Sequence, residues 1–409
     1  MKLPVPSPMR LAVTHEGRSI IYIPSPEYAV ASGRLEPAWL EVFYNPAMEF
    51  NRDVSVVAAS ALRRTGLLTR SGVAFDAHAG VGVRGVRYAV EAGYVKVIMN
   101  DINPKASMLA ALNARANGLE PGSYMIFNKE SNSLMFHLSR ERPTPVSLID
   151  IDPYGSPAPF VDAALALSGK GTVVAMTATD LAVLEGGKAR AAVRRYMLRS
   201  VSKTPVSKET GLRVLLGYVA RVAAAHDKAV KPLLAYYADH YYRVYVAVER
   251  GARRSDSMLE ENLGRLVYCP ETGVALALSY AEDPASACGG SYVVAADPAW
   301  IGSLGDQAFL EAMLNIAVEA VWLGTRPRVE KLLNTLHGEA PLSPRSIYVS
   351  LTSVASKARV NTPKKSKVVE LLRSMGYRAV ATHFSGEGVR TDAPWGEVLE
   401  AVVKLGSSG

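Results

Sequence analysis

The tetrapeptide Asp152-Pro153-Tyr154-Gly155 follows the apolar run Val146-Ser147-Leu148-Ile149-Asp150-Ile151. A carboxylate at the end of a buried strand, followed by proline and an aromatic ring, suits an exocyclic amino group. The carboxylate and nearby carbonyl oxygens accept hydrogen bonds from the NH2, and the ring face stacks on the base. Such an amine is a poor nucleophile, because its lone pair is delocalised into the ring. Chemistry there must orient that lone pair and accept a proton as the new bond forms. On its own Asp-Pro-X-Gly is also a common turn. Its position downstream of a second motif changes the odds.

That motif is Asp76-Ala77-His78-Ala79-Gly80-Val81-Gly82, which closes the apolar segment Gly72–Phe75 and opens a helix-like stretch from Val83 to about Ala92. Glycines let the backbone turn tightly and approach a ligand where a side chain would collide. An acid at the strand end followed by Gly-x-Gly suits the cationic amino-acid end of S-adenosylmethionine. The next run, Val95–Met99, ends in Asn100-Asp101, and a carboxylate there can bind both ribose hydroxyls. The same residues also spell Gly80-Val81-Gly82-Val83-Arg84-Gly85, with Asp101 about twenty residues on, which is a dinucleotide fingerprint. Asp76 argues against a pyrophosphate, and no hydride-transfer constellation follows, whereas the acid-Pro-aromatic turn does. Arg84 fits either cofactor. A glycine turn with no ligand is the weakest reading, because acids stand at both strand ends.

Positioning these groups requires an alternating βα frame. Strand patterns at 72–76, 95–100, 124–127, 146–152 and 171–176 are separated by helical ones, with further helices at 157–168 and 187–199. Such alternation predicts an open, largely parallel sheet covered on both faces. Ligands in such sheets bind beyond the carboxyl ends of the strands, which places Asp76, Asp101, Glu130 and Asp152 on one rim. A helix over Glu209–Ala225 and strands at Leu233–Ala235 and Arg243–Val248 complete a seven-stranded, Rossmann-like α/β sheet. Upstream, Ser19–Ile23 alternates like a strand and Val54–Leu67 reads as an amphipathic helix. The charged stretch Arg250–Asp256 reads as an exposed joint, dividing the chain into domains 1–250 and 251–409. The second holds short strands at 265–280 and 291–295 and a helix at Gln307–Leu323. A smaller α/β unit follows from 326 to about 405, with helices at 326–337 and 363–375.

The 409 residues suffice for two or three domains. No apolar run approaches the ~18 residues of a membrane span, and Met1–Pro6 lacks the apolar core of a signal peptide. A cytoplasmic location without membrane contact is expected. Cys269 and Cys288 could pair, but two isolated cysteines in a cytosolic chain are more often free thiols, and neither belongs to a C-x-x-C that would suit structural zinc. The net charge of +8 suits a polyanionic partner. Arg190, Arg194, Arg195, Arg199 and Lys203 crowd one probable helix, where such residues ordinarily face water. Arg359, Lys364, Lys365, Lys367 and Arg373 surround a Thr362-Pro363 helix start, a place for phosphate contacts.

From about Ile20 to Ala401 the chain resembles the Trm1 family, the tRNA guanine-26 N2-methyltransferases, in its archaeal form. The resemblance rests on Val42-Phe43-Tyr44-Asn45-Pro46-Ala47-Met48-Glu49-Phe50-Asn51-Arg52-Asp53, the Gly80–Gly85 turn, Asn100-Asp101-Ile102, Asp150–Pro157 and Thr177-Ala178-Thr179-Asp180. Asp239–Arg243, Trp300-Ile301-Gly302, Thr382-His383-Phe384 and Thr391–Pro394 add to it. It implies a class I methyltransferase fold and transfer of one or two methyls from S-adenosyl-L-methionine to N2 of guanine 26 in tRNA, with no obligate protein partner and no metal. Phe43 and Tyr154 would sandwich the guanine, with Asp152 receiving its amino group at the Pro153 turn. Arg52, Arg84, Asp101, Glu130 and Ser131 would line the cofactor pocket, beside the Asp76, Gly80 and Gly82 read above. Tyr154 replaces the family's usual Phe, Glu130-Ser131 stands where Asp-Ala is common, and Leu181–Gly187 lacks the Cys and His of many relatives. Rival readings are an adenine N6 or rRNA guanine N2 methyltransferase and a non-catalytic RNA-binding module; affinity for S-adenosylhomocysteine separates the last.

Bland roles stand beside these. Asn45 can bond the backbone of a packed turn, Arg52-Asp53 can be a helix-start ion pair, and Asp180 can cap a helix. His78 reads as a turn residue facing solvent or cofactor, and His240 and His383 as satisfied core histidines.

Overall fold

The computed structural model describes residues 9–31, 34–66, 72–141 and 145–407. The reading of Met1–Pro6 and the Leu67 end of the expected helix lie outside them. Contacts group the chain into two compact units. Met1–Asp152, Ala166–Thr172 and Asn315–Glu330 form the first; Pro153–Leu165, Val173–Leu314 and Lys331–Gly409 form the second.

In the first unit, β1 (Leu11–Glu16) pairs antiparallel with β2 (Ser19–Pro24), and only β2 had an obvious strand pattern. The helix α1 (Glu49–Arg64) starts five residues before its expected beginning, and every residue from Phe50 to Ala59 is buried. There follow β3 (Val73–Asp76), α2 (Val83–Val90), β4 (Lys96–Asn100), α3 (Pro104–Ala116), β5 (Tyr124–Phe127), α4 (Ser131–Glu141) and β6 (Leu148–Ile151). β3 pairs parallel with β4 and β6, and β4 pairs parallel with β5. All residues of β3 and β6 are buried, so their apolar runs are continuous rather than alternating. β5, at the edge, is only partly covered.

The second unit contains α5 (Ala158–Leu167, mostly in this unit), β7 (Val173–Ala178), α6 (Ala189–Tyr196), α7 (Ser207–Ala224), β8 (Lys228–Ala238), β9 (Tyr241–Arg250) and α8 (Ala252–Asn262). β9 pairs antiparallel with both β7 and β8. The largest sheet has seven strands in the order β8-β9-β7-β6-β3-β4-β5, which is the predicted Rossmann-like arrangement. The stretch read as an exposed joint is the start of α8.

Further on, β10 (Leu263–Cys269), β11 (Val274–Leu278) and β12 (Val293–Trp300) form an antiparallel sheet with Ser200–Val201. The smaller C-terminal α/β part has a three-stranded sheet and helices at Leu351–Ala358, Lys365–Ser374 and Trp395–Gly406 around one apolar cluster. Buried charges brace this unit. Arg213 pairs with Glu209 at 2.8 Å, and Arg390 with Glu209 at 2.8 Å and Glu339 at 3.1 Å. His383 bonds Glu339 through Nδ1, but its buried Nε2 has no hydrogen-bond partner, so it is only half satisfied as a core histidine.

One expectation is overturned. Cys269 and Cys288 are not free thiols but a disulfide, their Cα atoms 5.3 Å apart. Cys269 ends β10 and Cys288 ends the short Pro284–Cys288 helix, so folding brings together two residues that spacing alone leaves apart. No helix among the described residues is long and apolar enough to cross a membrane.

Candidate active site

In the first unit the C-terminal ends of β3, β4 and β6 deliver Asp76, Asp101 and Asp152, the last two just beyond their strands. Asp152 is held by Arg84: Nη2 donates to Oδ2 at 2.5 Å, and the Asp152 side chain keeps 24% of its surface exposed. Arg84 in turn donates to Ser55 Oγ at 2.6 Å and Asn51 Oδ1 at 3.0 Å, and its Nε lies 3.7 Å from Asp150. Tyr88 donates to Asp150 from one turn further along α2. Two predicted residues, Arg84 and Asp152, are thus in direct contact, and three further groups surround the guanidinium.

The glycine turn is tied to Asp101. The Gly80 N–H donates to its Oδ2 at 2.8 Å, and the Asn103 N–H to its Oδ1 at 2.9 Å. A carboxylate has about four lone-pair positions, so each oxygen keeps room for a ribose hydroxyl. Gly80 has φ +53°, and a Cβ there would lie 3.0 Å from the Phe43 carbonyl oxygen. The Phe43 segment is therefore packed on the turn through backbone that only glycine admits. At Gly82, φ +81°, a Cβ would meet Ala110 of α3 at 2.8 Å.

Asp76 is buried and accepts one bond, from the Gly85 N–H at 3.2 Å. Its Oδ1 has no hydrogen-bond partner. Burial and the neighbouring Asp150 charge push its pKa up to about 7, against the pull of Arg84. A buried carboxylate with an unused oxygen is short of a cation. His78 lies within electrostatic reach of Asp152, Asp101, Asp150 and Glu130, yet burial holds its pKa below the ordinary imidazole value.

The other predicted cofactor residues are placed differently. Arg52 turns to Glu16, with Nε to Oε2 at 2.7 Å and Nη2 to Oε1 at 2.5 Å, and also donates to the Asn45 carbonyl at 3.0 Å. Its ion pair is therefore with β1 rather than with Asp53. Glu130 accepts from the Asn132 and Ser133 N–H groups at 3.0 and 2.8 Å, at the start of α4. Against the cost of desolvation, those bonds keep its pKa below the ordinary value. Ser131 is buried and donates to the Ala77 carbonyl at 2.7 Å. Asn45 accepts from the Ala47 N–H, as a packed turn requires.

Sequence reasoning missed Asn51, Ser55 and Asp150 as partners of Arg84. The signals were present. Asn51 and Ser55 are four apart on a helix and share a face, whereas Arg52 points elsewhere. Asp150 and Asp152 are two apart at a strand end and share a side.

In the second unit the Pro153–Pro157 turn is clipped to the segment after β7. Gly155 N donates to Thr179 Oγ1 at 3.0 Å, and Thr179 N to the Gly155 carbonyl at 2.8 Å. Tyr154 is 69% exposed. Asp180 makes no side-chain cap; it accepts from Arg195 at 2.7 Å and from the Tyr196 hydroxyl at 2.9 Å.

Residues 28–403 match the family described as "TRM: N2,N2-dimethylguanosine tRNA methyltransferase". The chain belongs to that family. A tRNA (guanine(26)-N(2))-dimethyltransferase of Saccharolobus islandicus (strain M.14.25 / Kamchatka #1) is 36% identical over 400 residues, covering 97% of this chain and 100% of the relative. Its namesake from Metallosphaera sedula is 36% identical over 396 residues, covering 96% and 97%. Among solved structures, the complex of Trm1 from Pyrococcus horikoshii with S-adenosyl-L-methionine has a TM-score of 0.81 at 30% identity, covering 96% of this chain and 99% of that one. The resemblance of the Phe43, Gly80 and Asp152 blocks to this methyltransferase family therefore holds over nearly the whole chain, with the class I fold it implied.

Proposed function

We infer that this chain transfers one or two methyl groups from S-adenosyl-L-methionine to the exocyclic N2 of guanine 26 in tRNA. The observation that carries the reading is the near full-length match to relatives named for that reaction. The geometry agrees with it. The unpartnered Asp76 oxygen suits the donor's ammonium group, Arg84 its carboxylate, and Asp101 its ribose. When bound, the donor supplies an electrophilic methyl on a sulfonium.

The chain's own residues do the rest. Phe43 and Tyr154 are the proposed stacking partners of a guanine taken out of its helix. The carboxylate of Asp152 accepts a hydrogen bond from N2, turns the lone pair toward the methyl, and takes the proton released as the N–C bond forms. Arg84 keeps that carboxylate ionised and in one orientation. Glu130, Ser131 and Arg52 enter this proposal as the outer wall of the donor site, Ser131 and Arg52 through the backbone they brace. Domain limits at 1–250 and 251–409, tRNA contact by the latter, a cytoplasmic location and action without a protein partner belong to the same proposal.

Nucleoside mapping by mass spectrometry tests it. A tRNA transcript incubated with the protein and the donor should gain N2-methylguanosine or N2,N2-dimethylguanosine at position 26. Modification at adenine, or at a guanine elsewhere only, overturns the reading.

A further inference from the structure

Between Gly186 and Lys203 the chain carries Lys188, Arg190, Arg194, Arg195, Arg199 and Lys203, and no Asp or Glu. All six are exposed. Arg195 pairs with Asp180; among the described residues no carboxylate partners the other five. Helix stability explains part of this. Arg194 and Arg195 lie in the last turn of α6, where the helix dipole favours cations. It does not explain Lys188 and Arg190, which flank the start of the helix, where cations are disfavoured. Arg190 and Arg194, four apart, also repel each other along one face.

This charged helix is fastened to the turn that bears Tyr154. The Tyr196 hydroxyl lies 2.7 Å from Ser156 Oγ and 2.9 Å from Asp180 Oδ1. Arg221 grips the far end, donating to the Met197 carbonyl at 2.8 Å and the Tyr196 carbonyl at 2.6 Å. Thr179, next to Asp180, holds Gly155 from the other side. The cations are thus carried on a rigid block with the turn, not on a free loop.

We propose that α6 is a phosphate-binding surface for the RNA strand flanking the target base, with Arg190 and Arg194 gripping backbone phosphates and Tyr196 fixing their distance from the Tyr154 turn. This inference rests on the RNA-methylating reading above. Planar guanidiniums match phosphate oxygens two at a time, and phosphate contacts set the register of a nucleic acid without reading its sequence. A strand delivering a base to Tyr154 has its phosphates beside that base, and the helix bearing these cations is tied to Ser156, two residues from Tyr154.

The test measures tRNA binding against salt for the whole chain and for Arg190→Ala/Arg194→Ala. Each lost phosphate contact lowers the slope of log K against log salt by ~0.7–0.9, so the double variant should lose about 1.5 and weaken binding at least tenfold at low salt. Arg190→Lys/Arg194→Lys should restore most of the slope, and S-adenosylhomocysteine affinity should stay at the wild-type value, reporting an intact fold. Arg115→Ala/Arg140→Ala, at exposed positions of α3 and α4, removes equal charge elsewhere and should leave the slope in place. Equal losses for the α6 pair and this control pair, or an unchanged slope for the α6 pair, overturn the assignment. So does a preference of α6 for anionic vesicles over tRNA that Arg190→Ala/Arg194→Ala abolishes. If the wild type methylates tRNA while the α6 pair binds it normally, only this inference fails. If the wild type neither binds nor methylates tRNA, the reading beneath it fails as well.

Discussion

Two arginines three residues apart on α2 have opposite surroundings. Arg87 is fully buried and meets three carboxylates: Asp53 at 2.7 Å, Glu91 at 2.8 Å and Glu16 at 3.3 Å. Despite the cost of burial, those charges raise its pKa above the ordinary arginine value. Each carboxylate is itself tied down, Asp53 by the Thr325 hydroxyl at 2.6 Å and Glu91 by Trp322 Nε1 at 3.1 Å. Arg84 bonds two neutral oxygens and one carboxylate, and that carboxylate, on Asp152, keeps a quarter of its surface open. Surplus anionic partners make Arg87 a structural rivet. With Asp150 3.7 Å off and its nearest carboxylate, Asp152, a quarter exposed, the Arg84–Asp152 pair stays open to ligands.

The largest effect should come from the open end of the Arg84 arm. Asp152→Ala removes the group proposed to orient N2 and take its proton, so turnover should fall by ~10³-fold or more, with S-adenosylhomocysteine binding retained. Normal single-turnover rates for this variant would dissolve the distinction between the two arms. Next comes Arg87→Met, which strands three buried carboxylates. Removing one partner of a buried pair costs about 3–5 kcal/mol, so the variant should unfold at markedly lower temperature or fail to accumulate. Arg84→Met sharpens the contrast. A lost bond to a charged group is worth about 1.5–3 kcal/mol, so turnover should drop by ~10–100-fold while the melting temperature moves far less than for Arg87→Met. Equal destabilisation by the two variants would make Arg84 a second rivet.

Most of the sheet was legible because its strands are buried on both faces. β3, β4 and β5 lie within a residue of their expected limits, since Val73–Asp76, Lys96–Asn100 and Tyr124–Phe127 are short apolar runs between turn residues. The β8–β9 hairpin was seen only in part. Lys228, Lys231 and Pro232 interrupt its pattern, a register shift follows Pro232, and its turn uses Asp239 at φ +48° instead of a glycine. The α6 helix ends three residues before its expected limit, because Met197 turns left-handed at φ +51°. In the candidate site, the placement of Asp76, Gly80, Asp101 and Asp152 was readable because each ends a strand or starts a turn. The partner of Arg52 was not: Glu16 is thirty-six residues away, and nothing local in either residue announces a pairing that tertiary folding creates. The disulfide escaped for the same reason.

The smallest effect concerns Asp76, the acid of the first unit with neither an arginine of its own nor open surface. Its folded pKa, raised to about 7 from an ordinary 3.8, means that the ligand-free fold holds a proton that the unfolded chain has given up. The stability it contributes is complete below 3.8 and is lost as pH rises through about 7, because the folded state binds more protons in that interval. A cation beside Asp76 reverses the preference by favouring the carboxylate. Affinity for S-adenosylhomocysteine, whose ammonium group fits that role, should therefore weaken as pH falls below about 7, by at most ~tenfold per unit for a single proton. Titration calorimetry in buffers of differing ionisation enthalpy should show a proton released on binding near pH 6. Asp76→Asn should bind weakly with that proton release gone. Release of the same size from the variant would assign the proton to another group, and His78, surrounded by the same acids, would be the next to replace.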